Sequence, residues 1–171
     1  MTGPHVIPFL PSYIPPDVDL NQVKADVADD GVSVPPADAA DVPALRQVVE
    51  QARKEGIDLK IVVIEKNPPI DTPLRDIATE VGTANPGSTV LAISPTWAGT
   101  YSPTFNRVTL EAGQDVAKTG DPVQSSKNFL SELTTPHFPW TALTIVLVLG
   151  VLAAAVATRI LQVRGKRNAS S

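Results

Sequence analysis

Residues 41–66 read DVPALRQVVEQARKEGIDLKIVVIEK, and this stretch decides the fold. Leu45, Val48, Val49 and Ala52 recur at the spacing of one helical face, Asp41 stands where a cap is expected, Pro43 falls in the first turn and Gly56 follows the last. The run LKIVVIE, Leu59 to Glu65, is then β-branched and apolar on both faces, as a buried central strand requires. A helix followed by such a strand is the repeating unit of an α/β sheet.

The same unit returns downstream. Thr72 is the expected cap, Pro73 opens the helix, and Leu74, Ile77, Ala78 and Val81 form its stripe. Asn85-Pro86-Gly87 turns the chain into the strand TVLAIS, Thr89 to Ser94. Two such units in succession predict a parallel pair of strands joined by a right-handed crossover. A third strand is expected at Thr104 to Leu110, as an edge or hairpin partner, with short helices near Glu111–Lys118 and from Asp121 to about Leu133. Before the first unit, Leu20, Val23 and Val27 mark a helix capped by Asp17 or Asp19 and stopped by Gly31. Val32 and Val34 make a short strand, and PPADAADVP after it reads as a loop. The fold class is therefore α/β, a small mixed sheet flanked by helices.

Beyond that domain lies FPWTALTIVLVLGVLAAAVAT, Phe138 to Thr158, uncharged over the length that crosses a bilayer. A helix apolar on every face finds no core wide enough to hide it in a domain this small, so it is expected to span the membrane. The organisation that follows is a Pro-rich arm over 1–16, an α/β domain over 17–133, a linker over 134–137, a transmembrane helix over 138–160 and a basic tail over 161–171. All 18 acidic residues precede the span, whereas Arg159, Arg164, Lys166 and Arg167 follow it. The positive-inside rule places that tail in the cytoplasm, against anionic lipid head groups, and the domain outside. Trp140 is the expected interfacial aromatic anchor. The acidic domain speaks against a nucleic-acid partner. The first 16 residues carry no Lys or Arg and are broken by prolines, so they do not read as a secretory signal. With no Cys, disulfide and thiol chemistry are excluded.

Catalytic signals are sparse. The two histidines, His5 and His137, lie in the arm and at the membrane junction, where no imidazole-based triad or zinc site can be assembled. Asp17-Val18-Asp19-Leu20-Asn21 imitates the opening of a calcium loop, but Gln22 and Ala28 stand where that loop needs Gly and Glu, so a helix cap is the reading. Asp26, Asp29 and Asp30 are the densest candidates for a hard cation. No phosphate loop, nucleophile elbow or dinucleotide fingerprint occurs. No metal and no cofactor is expected. Partner-binding candidates are Trp97 and Tyr101, rare aromatics after the expected central strand, and Gly150 and Ala154, a small-xxx-small pair in the span.

The helix and strand ALRQVVEQARKEGIDLKIVVIE, with the later strand GSTVLAIS, resemble the TPM domain, a family of small α/β domains often tethered by a terminal membrane helix. The resemblance covers roughly residues 18–118, and the composition fits an actinobacterial single-pass version. It implies either phosphatase activity or non-enzymatic support of membrane complexes. Phosphatase members have acidic metal positions and a Gly-rich segment after the second strand; here that region reads PTWAGTYSPTFNRVTLEAG, so no catalytic residue is carried over. The expected function is a non-enzymatic accessory or assembly subunit of a larger membrane complex, such as a respiratory one. The alternatives are an envelope factor that recruits or regulates a cell-wall hydrolase and a metal-dependent phosphatase.

Overall fold

The computed structural model describes residues 13–136 and 140–168, and the chain divides into two compact units at Thr135/Pro136. The first unit holds a four-stranded sheet in the order β1-β2-β3-β4, with β1 at Val32–Ser33, β2 at Leu59–Val63, β3 at Thr89–Ile93 and β4 at Ala98–Tyr101. β1, β2 and β3 are parallel, with Ile61 opposite both Val32 and Leu91, and β4 is antiparallel to β3.

Helix α1, Leu20–Asp29, starts at Asp19, whose Oδ1 accepts from the backbone N–H groups of Asn21 (3.0 Å) and Gln22 (3.2 Å). It stops at Gly31, whose φ of 87° is the left-handed conformation that glycine tolerates, and Gly31 N–H closes onto Val27 O. The stretch expected as a loop before α2 is a 3-10 helix, Pro36–Asp41, running directly into α2, Val42–Lys54. Asp41 is consequently αR and makes no capping bond, because a side-chain cap needs the extended backbone that a preceding helical turn denies. Thr72 does not cap either: it is the first residue of α3, Thr72–Ala84, and Asp71 before it is again αR.

The strand expected at Thr104 to Leu110 is not there. Asn106 caps helix α4, Arg107–Val116, through Oδ1, which accepts from Thr109 N–H at 3.0 Å. The buried stripe of α4 consists of Thr109, Leu110, Gly113 and Gln114, too polar and small to register as a helical face, while exposed Val108 supplied the false alternation. The fourth strand lies instead inside what reads as a loop after β3. Helix α5, Pro122–Thr134, begins as expected behind Asp121, which accepts from Gln124 N–H at 2.7 Å.

Strand alternation sorts the core into two layers. Leu59, Ile61, Val63, Leu91 and Ile93 face α2, α4 and α5, with fully buried Phe129 at the centre of that layer. Val62, Ile64, Val90 and Ala92 face α1 and α3. The helices of the two successive crossovers, α2 and α3, thus lie on opposite faces although the strands step in one direction. Their hands must be opposite, so the right-handed rule holds for only one of them.

The second unit is dominated by α6, Trp140–Asn168, whose segment Leu143–Gln162 has mean hydropathy 2.3 and is long and apolar enough to cross a membrane. The helix continues past residue 160 through the start of the basic tail.

Candidate functional site

Open α/β sheets place ligands beyond the C-terminal ends of their parallel strands. Here two concavities flank the end of β2. One, about 120 Å³, is lined by Asp38, Glu65, Ser94, Asp121 and Ser125; the other, about 290 Å³, by Asp17, Asp19, Gln22, Asp26, Ser33 and Glu65. Burial, and then the neighbouring carboxylates Asp41 and Glu65, push the Asp38 carboxyl above its ordinary value.

Three of the other acids lining these concavities, Asp19, Asp26 and Asp121, and nearby Asp30 are occupied with holding the fold. Asp19 and Asp121 cap helices. Asp26 accepts from Ser33 Oγ (2.9 Å) and Gln22 Nε2 (2.6 Å). Asp30 accepts from Val32 N–H at 2.9 Å and pairs with Arg46. The structure therefore ties two of the three hard-cation candidates to β1 and α2. Among the described residues no group of three or more His, Cys, Asp or Glu could hold a metal ion. His5 and His137 lie outside the described residues.

Trp97 and Tyr101 are brought to one side of β4. Ser94 N–H donates to Trp97 O at 2.9 Å across the hairpin turn, and both aromatics, half-buried, pack on the α1/α3 layer. The Tyr101 ring lies against Gly82, where an added Cβ would sit 2.1 Å from Cδ1. These aromatics close the domain's own core and keep only an edge at the surface.

A shallow groove between α2 and α5, about 310 Å³, is lined by Gln47, Val48, Gln51, Lys127, Leu130 and Thr134. Sequence reading missed it because each helix contributes only half of the wall. It also missed a cleft of about 150 Å³ beside β4, where Arg75, Thr100, Ser102, Arg107 and Gln114 converge from three elements.

In α6, Gly150 has nothing within 4 Å of an added Cβ, and Ala154 lies one turn on, its carbonyl accepting from Thr158 Oγ1 at 2.8 Å. Arg159 and Arg164 are exposed; Trp140 opens the helix, and Lys166 and Arg167 stand in its last turn, their side chains outside the described residues.

A mixed α/β domain followed by one apolar helix of bilayer-crossing length defines a membrane protein with a candidate C-terminal span. The chain belongs to the Rv1476 family of membrane proteins: the family's sequence model, described as "Membrane protein Rv1476", matches residues 13–171. The protein of that name from Mycobacterium tuberculosis is 62% identical over 174 residues, covering 100% of this chain and 92% of its own length. No solved structure matches.

Proposed function

We propose that this chain is a non-enzymatic accessory or assembly subunit of a larger membrane complex, such as a respiratory one, with a TPM-like domain outside the membrane and the C-terminus in the cytoplasm. Two unfilled apolar surfaces on one chain carry the reading: the α2–α5 groove on the domain, and the open face of α6 at Gly150 and Ala154. Each is a modest contact alone. Linked in one polypeptide, they raise each other's effective concentration, so weak individual affinities suffice for stable association. The exposed edges of Trp97 and Tyr101 add to the domain's contact surface, and Arg159, Arg164, Lys166 and Arg167 hold the tail to anionic head groups. Three of the carboxylates at the strand ends, Asp19, Asp26 and Asp121, are committed to helix caps or to a bond with β1, which favours a scaffold over a catalyst.

The test is affinity purification of the tagged chain from its native membrane in mild detergent, beside a Gly150→Leu/Ala154→Leu variant. Leucine fills the groove beside those residues while preserving insertion, so the variant is expected in the membrane but without its partners. Copurification at wild-type yield would leave α6 a plain anchor and favour the envelope-factor reading, in which the domain alone recruits a hydrolase. Metal-dependent phosphatase turnover by the purified chain, lost when Asp26, Asp29 and Asp30 become asparagine, would overturn the non-enzymatic reading.

A further inference from the structure

The β4 edge carries an arrangement that the apolar surfaces do not explain. Ser94 N–H bonds Trp97 O, so Ser94/Trp97 is a hydrogen-bonded pair of the antiparallel ladder. Alternation along the register makes Ala92/Gly99 and Val90/Tyr101 the next bonded pairs. Leu91/Thr100 falls between them, and the Thr100 N–H and C=O therefore point away from β3, off the edge of the sheet. Ala98 is 2% and Thr100 8% exposed, so the edge is narrow and is reached only at Thr100, through the cleft that this residue lines.

The cleft alongside this edge is rich in donors. The half-buried Arg75 guanidinium has no ion-pair or hydrogen-bond partner among the described residues. Arg107 is held by Glu111 through Nε, 2.6 Å from Oε1, and the rest of its guanidinium is unpaired among the described residues. Gln114 is 8% exposed and lines the cleft; its Oε1 accepts from Thr100 Oγ1 at 2.7 Å, and its amide nitrogen has no partner among the described residues. Two guanidiniums against one carboxylate leave this cleft positive, on a domain that is otherwise strongly acidic.

We infer that this cleft docks a short extended acidic peptide of a partner protein, which adds to the β4 edge at Thr100 and places a carboxylate between Arg75 and Arg107. The main chain chooses the ligand class. Thr100 offers one donor and one acceptor side by side, and the main chain of an extended peptide matches both at the spacing of a strand ladder, a pairing that a phosphate does not present. The guanidiniums then select an acidic side chain over a neutral one through charge-assisted bonds. The inference deepens the accessory-subunit reading by naming the chemistry of a partner segment, and rests on that reading for its biological setting only.

The probe is fluorescein-labelled Val-Glu-Val-Glu-Val amide, titrated by anisotropy against the full chain in detergent micelles, beside a twin with Gln in place of Glu. The glutamate peptide should bind about tenfold more tightly than its twin, and Arg75→Gln should remove about that factor. Glu111→Gln, which removes the opposing charge, should tighten binding about two- to threefold, a gain that a merely structural role for Glu111 does not give. Amide exchange at Thr100 should slow on peptide addition. Equal affinity for the two peptides, unchanged affinity in R75Q, unaltered Thr100 exchange, or displacement by inorganic phosphate as potent as by unlabelled peptide would each overturn the inference. Failure here with the copurified complex intact strikes the cleft alone, and loss of the complex with peptide binding intact strikes the accessory reading.

Discussion

Replacing Gly99 with alanine sets a methyl group against the first turn of α3. An added Cβ at this position of β4 would lie 2.4 Å from both Arg75 N and Leu74 C, and 2.8 Å from Leu74 O. Carbon contacts settle at about 3.5–4.0 Å, so α3 must retreat by roughly 1 Å or β4 must buckle. Neither is easy. The obstructing atoms are backbone, unable to swing aside, and the helix they belong to buries Leu74, Ile77, Ala78 and Val81 at 0% exposure in the second core layer. Overpacking of this kind costs about 1–3 kcal/mol. For a domain of this size, each kcal/mol lowers Tm by roughly 4 °C, so G99A should melt about 4–12 °C below wild type.

The assay is thermal unfolding of the full chain in detergent, followed by circular dichroism. Gly150→Ala is the control, since nothing lies within 4 Å of the new methyl and the domain's transition should not move. A G99A transition within about 1 °C of wild type would refute the close approach of α3 to β4. It would also weaken the placement of Arg75, whose backbone N–H is one of the two nearest atoms, at the mouth of the β4 cleft.

Phe129→Ala removes the largest fully buried side chain, and should cost about 3–5 kcal/mol in denaturant unfolding, enough to leave much of the domain unfolded at 37 °C. Asp38→Asn should raise stability at neutral pH. The folded chain holds the Asp38 proton more tightly than the unfolded chain does, so stability falls as pH rises from the ordinary value of 3.8 through the raised one; the variant's advantage in Tm should therefore vanish below about pH 3.8. Protease added to spheroplasts of the native bacterium is expected to digest the domain and spare a C-terminal tag, and protection of the domain would reverse the proposed topology.

How much of this was legible in the sequence depends on the range of the interaction that fixes each element. The faces of α2 and α3, strands β2 and β3 and the start of α5 follow from periodicity and local caps, and the structure has them within a residue or two of where the pattern puts them. β4 was not legible, because AGTY is only four residues long and opens with Ala and Gly, which disfavour strands. It becomes a strand through pairing with β3, and Gly99 is there because α3 crosses it closely. Of α4, the part expected near Glu111–Lys118 is there, but its start was masked by a buried face built of Thr109, Gly113 and Gln114, whose burial is decided by neighbours rather than by hydrophobicity. The capping errors at Asp41 and Thr72 share one origin: the residue just before each helix, Asp41 and Asp71, already has an αR backbone, a property of the incoming chain and not of the cap residue.

The same distinction governs the surfaces. The apolar span and its Gly150/Ala154 pair are written in contiguous residues, so they could be named before any fold was known. Arg75, Thr100 and Gln114 lie 39 residues apart from first to last and meet only because β4 turns back along β3 between α3 and α4. No local motif announces such a site; what distinguishes it is an imbalance of donors over acceptors at a strand edge. That imbalance gives the domain a polar, directional contact that lipid-facing apolar packing cannot supply. On the proposed reading, a chain held in the membrane through α6 chooses its partner through Thr100 and two arginines, and the R75Q variant should retain the membrane while losing the choice.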